Sequence, residues 1–158
     1  MIQLFRITRV PQLEDFSGLG ASYRDGGRWN EAGVPALYFA NSPSVAMLEM
    51  ANYLPSPRLV PRDYRLATYV VAHDAVVEHW SVDSVPADWR DFPYPQSTQR
   101  MGSDWLNGAT APLLAIPSAA VPGGLEDIVL ANPRCLRPGA IRLQSVETEI
   151  YNPRVFAP

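Results

Sequence analysis

The stretch Ala36-Leu37-Tyr38-Phe39-Ala40-Asn41-Ser42-Pro43-Ser44-Val45-Ala46-Met47-Leu48-Glu49 sets the architecture. Its first five residues are an unbroken apolar run, which predicts a short buried strand. Ser42 and Pro43 then supply a helix start: a hydroxyl acceptor at the N-cap, and a ring whose φ is already helical at the first position. Val45, Leu48, Ala51 and Leu54 recur near helical spacing, and Pro55 is placed to end the helix. Glu49 falls one residue past Leu48, beside that expected apolar stripe. A carboxylate there points at the pocket that the preceding strand would floor.

Working outward, Ile2 to Thr8 alternates weakly and reads as a first strand. Residues 11–35 hold glycines at 18, 20, 26, 27 and 33 with few helix signals, so a long loop is expected. A loop of that length inside a folded domain is more often functional than idle. Further strands are expected at 65–72, near 76–80, at 112–117, at 127–131 and at 140–146, with a helix near 98–108 carrying Trp105 and Leu106. The 16 prolines are scattered, which suits short elements separated by many turns. The pattern is a mixed α and β domain without regular βαβ alternation.

The chain has 158 residues with 47% apolar and 18% charged, enough to bury one core. Its longest apolar run is far short of a membrane span, and the N-terminus shows no signal-peptide pattern. A single cysteine, Cys135, excludes an internal disulfide, and a cytoplasmic location is the expectation. All 13 basic residues are arginine, and the net charge is −3, with neither half basic. Direct nucleic-acid binding is therefore not expected. The lack of lysine also rules out Schiff-base chemistry and a Walker-type phosphate loop. Any phosphate must be held by arginine, backbone N–H groups or hydroxyls.

Gly26-Gly27-Arg28-Trp29-Asn30 is the richest candidate site. Paired glycines let the backbone approach a ligand, and Arg28 offers a planar donor fork suited to a diphosphate. Tyr38 could place its ring under a planar heterocycle while its hydroxyl meets a polar partner. The same residues also fit a plain turn with a surface arginine and a half-buried core tyrosine. Ser118, directly after a strand, and Asn132, closing another, suit ribose or amide hydrogen bonds, and equally suit turn and cap roles. Ser118 is not in a G-x-S-x-G elbow, so it is no hydrolase nucleophile. His73, His79 and Cys135 lack metal-ligand spacing, so no metal is expected. Trp80, Trp89, Trp105 and Tyr94 read as core or interface residues rather than as a stacking platform for bases.

In order along the chain, Leu4-Phe5-Arg6-Ile7, Gly26-Gly27-Arg28-Trp29-Asn30, Leu37-Tyr38, Ala46-Met47-Leu48-Glu49, Pro117-Ser118 and Asn132-Pro133 together resemble the RES-domain family. The family is named for an arginine, a glutamate and a serine, here Arg28, Glu49 and Ser118. The resemblance covers nearly the whole chain, is least evident over 84–110, and implies a single α+β domain spanning 1–158. That domain would have an ADP-ribosyltransferase-like twisted mixed sheet with a few flanking helices. It implies the toxin of a bacterial RES–Xre toxin–antitoxin pair that consumes NAD as substrate. Breaking the nicotinamide–ribose bond passes through an oxocarbenium-like state. On that reading Arg28 grips phosphate, Tyr38 packs beside the nicotinamide, and Glu49 stabilises the cation or orients the acceptor. Ser118 and Asn132 support the ribose or amide end, and Arg6 is a second phosphate ligand.

The resemblance leaves three acceptors open: water, inorganic phosphate and a protein side chain. A catalytically inactive antitoxin-binding module is the reading from a different class. The implied partner is an Xre-type helix-turn-helix antitoxin that blocks the NAD pocket and itself carries the DNA-binding role. The aromatic segment between 80 and 105 would suit an antitoxin or homodimer surface, although core burial explains it as well.

Overall fold

The computed structural model describes residues 1–54 and 59–155. Seven strands form one mixed sheet: β1 (Ile2–Arg9), β2 (Leu37–Ala40), β3 (Tyr64–Val71), β4 (Val77–His79), β5 (Leu113–Pro117), β6 (Asp127–Ala131) and β7 (Ile141–Glu147). Their spatial order is β4-β5-β6-β2-β1-β3-β7, antiparallel throughout except for the parallel β4–β5 edge. Among the described residues three α-helices accompany it: α1 (Ala21–Asp25), α2 (Pro43–Ala51) and α3 (Gln96–Gly108).

Period-2 alternation divides the core into two layers. Ala40, Leu114, Ile116, Ile128 and Leu130 face one side, with Trp29 and the helical residues Val45, Ala46, Trp105 and Leu106. Leu37, Phe39, Leu113, Val129 and Ala131 face the other, with Leu4, Ala67 and Tyr69. Strands buried on both faces need apolar residues at every position, which is why β2, β5 and β6 read as continuous apolar runs. Both longer helices cover the first face. Leu13, Phe16 and Leu136, from irregular segments, pack on the second.

The sheet has a seam. β1 pairs with β3 over its whole length, from Ile2↔Val71 to Arg9↔Tyr64. With β2 it shares one register pair, Phe5↔Ala40. Next to this seam the strands enter α2. The Ser42 side chain accepts a hydrogen bond from the Val45 N–H, and Pro43 opens the helix, as the sequence predicts. The buried stripe differs from expectation, because Leu48 is 49% exposed. Val45 is buried as expected, and Ala46 takes the place of Leu48. Glu49, three and four residues on, thus lies on the inward face itself rather than beside it. The helix closes at Ala51 with Asn52 as its cap, and Pro55 lies outside the described residues.

The expected long loop at 11–35 contains the single-turn helix α1. α3 begins two residues before its expected start, directly after Pro95. Trp89 and Trp105 are buried, which places them in the core, whereas Phe92 is 77% exposed. His73 and His79 are exposed. Among the described residues no helix is long and apolar enough to cross a membrane. No group of His, Cys, Asp and Glu among them could hold a metal ion.

Candidate functional site

A cavity of about 620 Å³ opens at the β1–β2 seam, within the size range of small-molecule sites. Phe5, Ile7, Tyr38 and Ala40 floor it, α2 supplies Glu49 and Met50, and the 26–29 turn supplies Arg28. Tyr53, Phe92 and Tyr94 also line it.

The Gly26–Asn30 turn is built from hydrogen bonds that converge on Tyr38. The Tyr38 hydroxyl donates to Asn30 Oδ1 at 2.6 Å and accepts from the Trp29 N–H at 2.9 Å. Asn30, fully buried, donates its amide to the carbonyls of Ser22 and Val34. A Cβ on Gly27 would stand 2.7 Å from both Asn30 Oδ1 and the Tyr38 hydroxyl, so only glycine leaves room for that pair. Burial pushes the Tyr38 phenol well above its ordinary value near 10. With donor and acceptor both engaged, the hydroxyl is no proton shuttle, and the ring is what a ligand would meet.

α3 props the turn from behind. Gln99 donates to the Gly27 carbonyl at 3.0 Å, and Ser103 accepts from the Glu31 N–H at 2.9 Å. Gly102 lies so close to Trp29 that a Cβ would fall 1.8 Å from its carbonyl oxygen. These three residues were not anticipated. A glycine in mid-helix is the one signal that could have pointed to such a close approach.

Arg28 is aimed by neutral groups. One of its terminal nitrogens donates to the carbonyls of Trp89 and Asp91, each at 2.7 Å, and the guanidinium sits 5.1 Å from the Tyr94 ring centroid. The ion pairs among the described residues are Arg9–Asp63 and Arg137–Asp74. Among the described residues no carboxylate forms an ion pair with Arg28, and its other donors are open to an anion. Among the described residues Glu49 is likewise paired with no arginine. Its Oε1 accepts a 2.6 Å hydrogen bond from the Ser118 hydroxyl.

The remaining candidates are placed differently. Ser118 is fully buried and stands behind Glu49 rather than on the cavity wall, so it touches the carboxylate and not the space. Arg6 contributes its stretch of β1 to the floor, but strand alternation sends its guanidinium to the opposite face. There it lies 5.3 Å from the Phe39 ring centroid and 5.6 Å from that of Tyr69, and donates to the Gln12 carbonyl. Asn132 is not brought to the cavity either. Fully buried, it donates to the Leu106 carbonyl at 2.8 Å and accepts from the Arg134 N–H, tying β6 to α3. The structure thus gathers Arg28, Tyr38 and Glu49, with Ser118 as support, and leaves Arg6 and Asn132 as framework.

Known proteins are similar to this chain over most of their length. Toxin Res of Photorhabdus laumondii is 35% identical over 132 residues, which is 82% of this chain and 81% of that protein. The Prs ADP-ribosylating toxin of a Sphingobium species is 33% identical over 150 residues, 94% of this chain and 91% of that one. The toxin–antitoxin complex MbcT–MbcA of M. tuberculosis superposes with a TM-score of 0.70 at 23% identity, covering 98% of this chain and 86% of the other, a likeness of fold. Residues 3–150 match the family model described as the RES domain, a span that runs from β1 past β7 and takes in the whole cavity. On that match, and on relatives alike over most of both chains, the protein belongs to the RES domain family.

Proposed function

We propose that this protein is the toxin of a toxin–antitoxin pair, and that it binds NAD at the β1–β2 seam and breaks the nicotinamide–ribose bond. The observation that carries the reading is the pairing, in one cavity, of an unneutralised Arg28 fork with a Glu49 carboxylate held by Ser118. NAD presents the complementary charges: a diphosphate for the fork, and a cationic pyridinium beside the sugar carbon for the carboxylate. The aromatic lining from Tyr38, Tyr53 and Tyr94 suits planar rings. No metal is called for, because the leaving group departs as neutral nicotinamide.

When the C–N bond breaks, its electron pair goes to the nicotinamide nitrogen, and positive charge develops on the ribose ring. Glu49, preoriented by Ser118, stabilises that charge without reorganising. An acceptor oxygen then bonds to the ribose carbon and releases its proton. Water or inorganic phosphate as acceptor gives NAD depletion and growth arrest. A second reading, transfer of ADP-ribose to a specific protein, is favoured by the relative whose printed name is an ADP-ribosylating toxin. Coexistence of Arg28, Tyr38 and Glu49 in one cavity speaks against an inactive binding module.

The proposed partner is an Xre-type helix-turn-helix antitoxin that covers this cavity in the cytoplasm, since a net charge of −3 gives this chain no reason to bind DNA. Purified protein incubated with NAD should release nicotinamide, and Glu49→Gln should slow release by about 10²–10³. No release at high enzyme concentration, with and without phosphate or cell extract, would overturn the enzymatic reading. Labelled NAD with extract separates the acceptors: a labelled protein band surviving denaturation indicates transfer to protein.

A further inference from the structure

Two of the charged residues that line the cavity, Arg28 and Glu49, are carried by separate parts of the chain. The Arg28 guanidinium donates to the Trp89 and Asp91 carbonyls and stacks on Tyr94, which ties it to the segment 89–94. Glu49 belongs to α2, and Tyr53 follows it by four residues, about one helical turn later. The Tyr53 N–H bonds the Met50 carbonyl, continuing the turn past the end of the helix. Across the mouth of the cavity, the Tyr53 and Tyr94 hydroxyls share a hydrogen bond. Among the described residues it is the one hydrogen bond joining α2 and its last turn to segment 89–94. Tyr53 is 60% exposed, so core packing does not account for its position.

We propose that Tyr53 and Tyr94 are positioning residues whose hydroxyl pair fastens the end of α2 to segment 89–94, fixing the Arg28 fork relative to the Glu49 carboxylate. This rests on the NAD reading, because the span between the two groups matters only to a substrate touching both. In a dinucleotide one ribose separates the diphosphate from the bond to be broken, so few placements of anchor and carboxylate are productive. A misplacement of about 1 Å can cost up to about 10² in rate. Neither tyrosine is required to touch the reacting atoms.

The test uses Tyr53→Phe, Tyr94→Phe and the double variant, which keep both rings and the stacking on Arg28. Nicotinamide release should show kcat lowered about tenfold in each single variant, and the double variant should be no slower than either single, because one bond is lost in all three. A purely structural role would instead lower thermal stability with kcat unchanged. Single-variant kcat values within twofold of wild type, or losses that multiply in the double variant, would overturn the proposal. Amide exchange separates this from the NAD reading. If the wild type releases no nicotinamide, the NAD reading falls and the clasp is judged alone. Faster exchange across 89–94 in Tyr53→Phe then supports it, and unchanged exchange removes it.

Discussion

Ser118→Ala removes the hydroxyl that supports Glu49. Ser118 donates at 2.6 Å to Glu49 Oε1, and the serine is fully buried. A hydrogen bond to a charged group contributes about 1.5–3 kcal/mol. Glu49 is half-buried, so water recovers part of that, and about 1.4 kcal/mol of orientation should remain, roughly tenfold in rate. Because Ser118 does not line the cavity, the loss should appear in kcat with the KM for NAD nearly unchanged. Stability should fall by only about 1 kcal/mol, since Ser118 also loses its bond from the Ala120 N–H but keeps its backbone bonds. Steady-state nicotinamide release, with thermal melting as the control, reads both. A large rise in KM at constant kcat would refute the reasoning, because it would mean that the hydroxyl binds NAD directly rather than through Glu49.

Three further outcomes are expected. Arg28→Lys keeps the charge but loses the fork that bridges two carbonyls while presenting donors to an anion, so kcat/KM should fall by about 10–100-fold, mostly through KM. Gly102→Ala drives a Cβ into the Trp29 carbonyl and should cost about 3 kcal/mol or more by thermal melting, whereas Gly108→Ala, with open space around it, should be neutral or slightly stabilising. Burial raises the Tyr38 phenol above its unfolded value, so the folded protein holds that proton more tightly. Its contribution to stability is complete below pH 10 or so and is lost as pH rises further. Denaturant midpoints should therefore drop above that pH, and phenolate absorbance from Tyr38 should appear only with unfolding.

Much of the fold was legible because local chemistry wrote it. The Ser42–Pro43 helix start, the doubly buried β2, β5 and β6, and the strands flanking them follow from caps and apolar runs. Leu48 misled, since its spacing from the buried Val45 fits the stripe but α2 turns Ala46 and Glu49 inward in its place. The short helix α1 was hidden because a single turn carries almost no periodic signal.

At the site, the sequence by itself determined which chemistry was present: an arginine behind two glycines, a tyrosine on a buried strand, a glutamate on the next helix, and no lysine. Only the tertiary structure decided which of those groups meet. Strand alternation turned Arg6 to the far side of the sheet, burial turned Asn132 into a tie between β6 and α3, and a hydrogen bond across 69 residues made Ser118 the support of Glu49. Residue type fixes what a side chain can do, whereas direction and partner depend on packing between segments distant in the chain, which no local pattern encodes.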